Sequence, residues 1–372
     1  MAIVGIVVGA LCVATAIGDE GKAAAKPERP LVQIALLLDT SNSMDGMINQ
    51  AKAQLWSIVN EFATAKRSGA KPILQVALYQ YGTPSLGLES GYIKQLAPLT
   101  DDLDSISKLL FELKTNGGDE YCGWVIKTAT EDLKWSANKS DYMAIFIAGN
   151  EPFSQGKVKY EDACKAAATK GIIVNTIHCA GAEDTGWAEG ARLADGRFMR
   201  IDGNQAVVQI KAPQDEELAR LNADLNKTYV AYGARGKEYS ARQASVDANA
   251  QTIGSANVAT RAAAKASAQY RNTEWDLVDA VREDKVAVEK MDAAELPDEL
   301  KKLSAEERKQ FVEKKQKERE TVQTKIKELS DARTKYVADE MKKTAAPGAN
   351  TLGDSIRAAV REQATQKAFK FE

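Results

Sequence analysis

Between residues 31 and 202 the chain alternates apolar runs of strand length with stretches of helical periodicity, and this alternation restricts the fold more than any other feature. LVQIALLLD (31–39), PILQVALYQYG (72–82), YMAIFIAGN (142–150) and IIVNTIHC (172–179) are near-continuously apolar. A strand that is apolar on both faces needs cover on both, which is the situation inside a parallel sheet flanked by helices. Shorter runs, SGYIKQLAPLT (90–100) and RFMRID (197–202), complete the strand series. Between the runs lie helical patterns. The first carries Met47, Ala51, Leu55, Ile58, Val59 and Phe62, with Gly69 as a stop. Next comes DDLDSISKLLFELK, for which Thr100 is the expected cap, followed by WVIKTATEDLKW, VKYEDACKAAATKG and WAEGARLADG. Such an order implies βαβ crossovers and an α/β, doubly wound, mostly parallel sheet over residues 31–205.

After residue 205 no strand signal of comparable strength returns, and residues 206–372 are expected to form an α-helical region. Leu218, Leu221, Leu225 and Tyr229 share one helical face, and SANVATRAAAKASAQYRN is Ala-rich and weakly amphipathic. Thr273 and Asp276 make a capping-box-like start to another helix. Ser304 and Glu307 do the same for a long charged helix over about 304–343, ended by Pro347 and Gly348, and a last helix follows over roughly 351–367. Phe311, Val322, Ile326, Leu329, Tyr336, Val337 and Met341 give the long helix a thin apolar stripe. Arg333 interrupts it, so a docked helical hairpin is expected in preference to a regular coiled coil. The Lys and Glu run around the stripe reads as a solvated face.

The N-terminus carries an apolar stretch over residues 2–17 with Ala14-Thr15-Ala16 as an A-x-A cleavage site. Residues 1–18 read as a signal peptide or short anchor and 19–30 as a linker, so the expected location is exported, periplasmic or extracellular. A spanning helix usually takes about 20 residues, and this stretch is shorter. A net charge of −2 lacks the basic excess typical of nucleic acid binding. Of four cysteines, Cys12 lies in the N-terminal stretch, which leaves Cys122, Cys164 and Cys179 and at most one bridge. No C-x-x-C pair occurs, against a structural zinc site. His178 is the one histidine, placed near a strand end, so histidine-based acid–base pairs are excluded. Neither a P-loop nor a Gly-x-Ser-x-Gly elbow is present.

In doubly wound sheets ligands bind beyond the carboxyl ends of the strands, and three segments arrive there. The first is Asp39-Thr40-Ser41-Asn42-Ser43, which puts Asp39, Ser41 and Ser43 at alternating positions. Hydroxyl and carboxylate oxygens are hard ligands that suit Mg²⁺, Mn²⁺ or Ca²⁺. The competing role for Ser41 or Ser43 is to cap the following helix. The second segment is Asn116-Gly117-Gly118-Asp119-Glu120 and the third Ala148-Gly149-Asn150-Glu151-Pro152.

Asp39-x-Ser41-x-Ser43 after a first hydrophobic strand, within this order of elements, resembles the von Willebrand factor A family and its metal-ion-dependent adhesion site. The resemblance covers about residues 30–205. It implies a divalent cation, Mg²⁺ foremost, held by the Asp, the two Ser and residues of the other two loops. It also implies a protein partner whose acidic side chain fills an open coordination position. Two departures matter. Where the family commonly has Thr after paired glycines, this chain has Asp119, a charged ligand that leaves less positive charge on the ion. Glu120 follows as an outer contact. Where the family often has Thr-Asp-Gly, Gly149 takes the place of the acid, so Asn150 or Glu151 must reach the ion, directly or through water. The expected metal set is Asp39, Ser41, Ser43, Asp119 and Glu151, with no catalytic residues. The function this implies is an exported, metal-dependent adhesion or scaffold module. The alternatives are an assembly protein working through its C-terminal helices, with envelope or membrane association, and a Mg²⁺- or Mn²⁺-dependent hydrolase.

Overall fold

The computed structural model describes residues 29–179, 185–201, 209–344 and 352–371. The expected signal segment and most of its linker lie outside the described residues, as do Pro347 and Gly348. Among the described residues no helix is long and apolar enough to cross a membrane.

The sheet-bearing part runs β1 (Leu31–Asp39), α1 (Asp45–Glu61), β2 (Ala65–Lys66), β3 (Ile73–Tyr81), β4 (Ile93–Thr100), α2 (Leu103–Glu112), α3 (Cys122–Asp132), β5 (Tyr142–Gly149), α4 (Tyr160–Thr169), β6 (Ile173–His178), α5 (Trp187–Arg192) and β7 (Phe198–Arg200). Six of these strands form one sheet in the order β4-β3-β1-β5-β6-β7. All neighbours are parallel except β4, which runs antiparallel to β3 at the edge. The central strand β1 pairs in step from Leu31↔Ile73 to Asp39↔Tyr81, so Asp39 emerges level with Tyr81 at the carboxyl edge.

Side-chain alternation along β1 divides the core in two. Val32, Ile34, Leu36 and Leu38 point to the face covered by α1 and α2, where Met47, Leu55, Ile58, Val59, Ile106 and Leu110 meet them. Ala35 and Leu37 point to the other face, against Val125, Ile126 and Ala129 of α3 and Ala163, Cys164 and Ala167 of α4. The helix expected from Thr100 is capped instead by Asp102, whose side chain accepts from the Ser105 N–H. Thr100 supports that cap by accepting from the Asp102 N–H at 3.1 Å. Cys122, Cys164 and Cys179 are free thiols.

The second half forms α6 (Asp215–Asn226), α7 (Gly236–Ile253), α8 (Ser255–Ala266), α9 (Leu277–Arg282), α10 (Ala305–Thr344), α11 (Leu352–Gln366) and β8 (Lys370–Phe371). Its helices do not pack as a body apart from the sheet. Helix α11 lies along α1, and Leu352, Ile356, Ala359, Val360 and Ala364 enter the same core as β1. Gln363 is buried with them: it accepts from the Tyr142 hydroxyl at 2.9 Å and exchanges hydrogen bonds with Asn175 at 3.1 and 2.7 Å. Strand β8 then pairs with β2.

Buried charges tie the remaining helices down. Arg261 of α8 stands between Asp104 of α2, at 2.8 Å, and Asp247 of α7, with its guanidinium 4.5 Å from the centre of the Trp56 ring. Burial opposes ionisation of Asp247, but Arg261 and Lys265 overcome it and hold that carboxyl well below the usual range. Burial also pushes the Lys265 ammonium down to about 8, with Asp247 pulling the other way. The long helix α10 turns one seam inward: Val312, Arg319 and Ile326, seven residues apart, are buried. Arg333, the next in that series, pairs with Asp215 at 2.6 Å. The charged run is therefore not all solvated. Arg319 is 2% exposed and grips Asp276 at 2.6 Å and Asp279 at 3.0 Å. At the start of α10, Ser304 and Glu307 form a reciprocal capping box, with the Glu307 carboxylate accepting from the Ser304 N–H and the Ser304 hydroxyl from the Glu307 N–H. Helix α9 starts one turn later than Thr273 suggests, capped by the Asp276 side chain.

Candidate metal centre

The site forms where β1, β3 and β5 release their chains at the carboxyl edge. Asp39, the last residue of β1, is fully buried. Its Oδ1 accepts from the Ser41 N–H at 2.7 Å and its Oδ2 from the Ser41 hydroxyl at 3.0 Å. The Ser41 and Ser43 hydroxyls are 3.0 Å apart. Ser41 makes no side-chain bond to the turn it precedes, so its hydroxyl is spent on Asp39 and Ser43 and not on capping α1. The first segment thus gathers its three oxygen-bearing side chains on one side.

Backbone bonds lock the neighbouring segments to it. The Thr40 N–H donates to the Tyr81 carbonyl at 2.9 Å, and the Asn116 N–H to the Thr40 carbonyl at 2.8 Å. The hydroxyls of Thr40 and Thr83 meet at 2.7 Å. Gly82, directly after β3, has φ +80°, and a Cβ there would lie 2.6 Å from Asp39 Oδ1 and 3.0 Å from Glu120 Cγ. Glycine is required here both for the backbone angle and for the space the two acids occupy.

The second segment separates its adjacent acids. Asp119 is exposed, with the Tyr121 hydroxyl 3.5 Å from its Oδ2. Glu120 is 2% exposed, turned in beside Asp39, and its Oε2 is buried with no hydrogen-bond partner. Of the two, it is Glu120 that the fold brings to Asp39, in place of the expected Asp119. Burial raises the Asp39 carboxyl to about 6, with hydrogen bonds from Glu120 and then Ser41 pulling it down and the negative charge of Glu151 pushing it up. Burial, then the charge of Asp39, raises Glu120 to about 9. Among the described residues no ion pair offsets either acid.

The third segment arrives one residue later than the family pattern. At Gly149 an added Cβ would lie 2.6 Å from the Tyr81 hydroxyl and 3.0 Å from the Trp187 ring, so that position holds no side chain at all. Asn150 takes its place, its Oδ1 accepting from the Ser43 hydroxyl at 2.9 Å. Glu151 is half-buried and accepts from Gln155 Nε2 at 3.4 Å, while Gln155 Oε1 accepts from the Glu120 N–H at 3.1 Å. Two stacked rings fix this loop from behind. Trp187 Nε1 donates to the Glu151 carbonyl at 2.9 Å, and His178 Nε2 lies 3.3 Å from the Asn150 carbonyl. Gln155, and the part played by His178 and Trp187, leave no mark in the sequence, because each acts through backbone brought close only by the fold.

Among the described residues no group of three or more His, Cys, Asp or Glu could hold a metal; any site here depends on hydroxyls. The donor set is all oxygen: two carboxylates, two hydroxyls and an amide. Two carboxyl groups buried side by side without a cation, one with an orphaned oxygen, match the demands of a hard dication, which would displace the proton that keeps Glu120 neutral.

The family model described as von Willebrand factor type A domain matches residues 33–199. No curated protein matches. Among solved structures, the conserved hypothetical protein BatB from Bacteroides thetaiotaomicron is 20% identical, with 46% of this chain and 90% of that one covered at a TM-score of 0.35. The SpRpn10 VWA domain is 17% identical, with 48% and 99% covered at 0.36. Proximal thread matrix protein 1 from the mussel byssus, with a zinc-occupied MIDAS motif, is 13% identical, with 46% and 42% covered at 0.37.

Proposed function

Residues 33–199 are a von Willebrand factor type A domain, and from that premise we propose that the chain is a divalent-cation-dependent protein-interaction module. Asp39, Ser41, Ser43 and Glu120 would hold the ion, with Asn150 and Glu151 outside them. Asp119 is left to the rim. The bound cation supplies a fixed positive centre for an oxygen of the partner. The protein's own part is to keep the hydroxyls aligned through Asp39 and Asn150, and to exclude side chains through Gly82 and Gly149. One observation carries the reading: the carboxylate of Asp39 and the hydroxyls of Ser41 and Ser43 converge beside a buried carboxylate whose Oε2 has no partner. Mg²⁺ heads the cation candidates, followed by Mn²⁺ and Ca²⁺.

Calorimetric titration with Mg²⁺ and Mn²⁺ tests the site. Wild type is expected to bind, and Asp39→Ala to lose binding while keeping its circular dichroism. Unchanged affinity in the variant removes the site. Pull-downs in Mg²⁺ and in EDTA then test whether a partner depends on the ion. Export also belongs to the proposal. It rests on the apolar stretch at residues 2–17, and is tested by the location and N-terminal sequence of the mature chain.

A further inference from the structure

We propose that the amino edge of the sheet, opposite the candidate metal centre, is a docking face for an anionic phospholipid surface. The face follows from how the strands begin. In sheet order, β3, β1, β5 and β6 are entered through Lys71, Arg29, Lys139 and Lys170, each two or three residues before its strand. Lys71, Lys139 and Lys170 are exposed. Contacts join these starts into one patch. Arg29 donates to the carbonyls of Lys71 and Pro72 at 3.0 and 2.9 Å, Lys170 to that of Thr130 at 2.8 Å, and Lys367 to that of Lys139 at 2.8 Å. Lys370 of β8 adds a further exposed cation, in register with Lys66 of β2. Arg29, Lys170 and Lys367 thus spend donors on main-chain oxygens, and among the described residues Lys71, Lys139 and Lys370 enter no ion pair.

The acids nearby are mostly committed. Asp141 is buried and bound to Arg67 at 2.7 Å. Asp101 and Glu283, whose charges reach Arg29, both pair with Arg271. Glu131 and Asp132 stand exposed at the end of α3. That helix end accounts for Lys170, which meets its last turn, but Lys71 and Lys139 lie outside any helix. With a net charge of −2, the chain gathers cations on this edge and Asp39, Glu120 and Glu151 near the other. A lipid surface fits the face better than a nucleic acid because of where the chain enters. Only residues 18–28 separate the apolar stretch at 2–17 from Arg29, a reach of at most about 40 Å. Basic clusters so close to an apolar segment are drawn to anionic headgroups. Docked in this way, the nine residues of β1 would hold the metal centre about 30 Å from the lipid, facing away from it. The inference is independent of the cation reading.

Vesicle co-sedimentation of the full chain reads the docking. The probes are vesicles of phosphatidylcholine alone and of phosphatidylcholine mixed equally with phosphatidylglycerol, in EDTA so that the cation site plays no part. Wild type is expected to bind the anionic vesicles at least about tenfold more tightly than the neutral ones. That preference should vanish at about 1 M salt, where the screening length is about 3 Å. Lys71→Gln, Lys139→Gln and Lys370→Gln together should weaken binding to the anionic vesicles about a hundredfold, at roughly 1 kcal/mol for each basic side chain at the surface. All three positions are exposed, so circular dichroism should stay unchanged. Lys314→Gln, Lys317→Gln and Lys325→Gln on the exposed side of α10 remove the same charge elsewhere and should leave the preference intact. Equal binding of wild type to both vesicle types assigns attachment to the apolar stretch and overturns the inference. An equal loss in the α10 variant also overturns it, by making net charge the cause. A duplex oligonucleotide that binds wild type more tightly than the anionic vesicles, and is released by the first triple substitution, overturns it in favour of nucleic acid.

Discussion

Replacing Ile356 by Ala tests whether the last helix is part of the sheet's core. Ile356 is 2% exposed and packs with Leu36, Leu38 and Leu55 through α11. The change removes three carbons at about 0.8 kcal/mol each, and the cavity left behind adds roughly 1 kcal/mol more, for a loss of about 3–4 kcal/mol. Unfolding entropy near 2.1 cal/mol/K per residue, summed over 372 residues, gives about 0.8 kcal/mol/K, so the melting temperature should fall by about 4–5 °C. Urea unfolding followed by tryptophan fluorescence suits the question. Trp56 and Trp187 report on opposite faces of the sheet, and Trp275 on the helical half. Fluorescence and circular dichroism should shift together in one transition. A loss below about 1 kcal/mol, or a helical transition that stays in place while the sheet's moves, would refute a shared core. Met341→Ala, at an exposed position, is the control and should stay within about 0.5 kcal/mol.

Arg261→Met leaves Asp104 and Asp247 buried without their shared cation, and should cost about 3–5 kcal/mol in urea unfolding; an unchanged midpoint would mean the clasp between α2, α7 and α8 carries no weight. Lys265 titrates near 8 when folded, below its ordinary 10.5. In that window the unfolded chain therefore binds more protons, and stability gains up to about 1.4 kcal/mol per pH unit on going up through it. The gain is read as wild type minus Lys265→Met, which cancels the buried tyrosines; a flat difference refutes it. Gly82→Ala forces a side chain onto a positive φ and against Asp39. It should cost more than about 1 kcal/mol and abolish Mn²⁺ uptake in calorimetry, and retained uptake would show that Gly82 does not shape the site.

The strands were legible because burial on both faces writes itself as unbroken hydrophobicity, and the first site segment because Asp39, Ser41 and Ser43 follow directly on such a strand. Much of the rest depends on distance in space. Helix α7 escaped the sequence reading, since Gln243, Val246 and Ala250 are its buried side chains and no strong apolar stripe marks it. The docking of α11 was equally hidden: its pattern announces a buried face without saying what covers it. Arg261, Lys265 and Arg319 look like ordinary surface charge until their carboxylates arrive from remote turns. Asp119 and Glu120 are neighbours in sequence, and one rotation of the loop decides which of them faces inward.

That α11 and β8 close a core opened by β1 has a consequence for synthesis. Every strand of the main sheet leaves the ribosome long before the helix that seals its face has been made. Contacts spanning some three hundred residues, such as Leu352 to Gln50, form late and slowly. Until then the nascent domain stays unsealed along α1, with the apolar face of its sheet open to engagement by a chaperone.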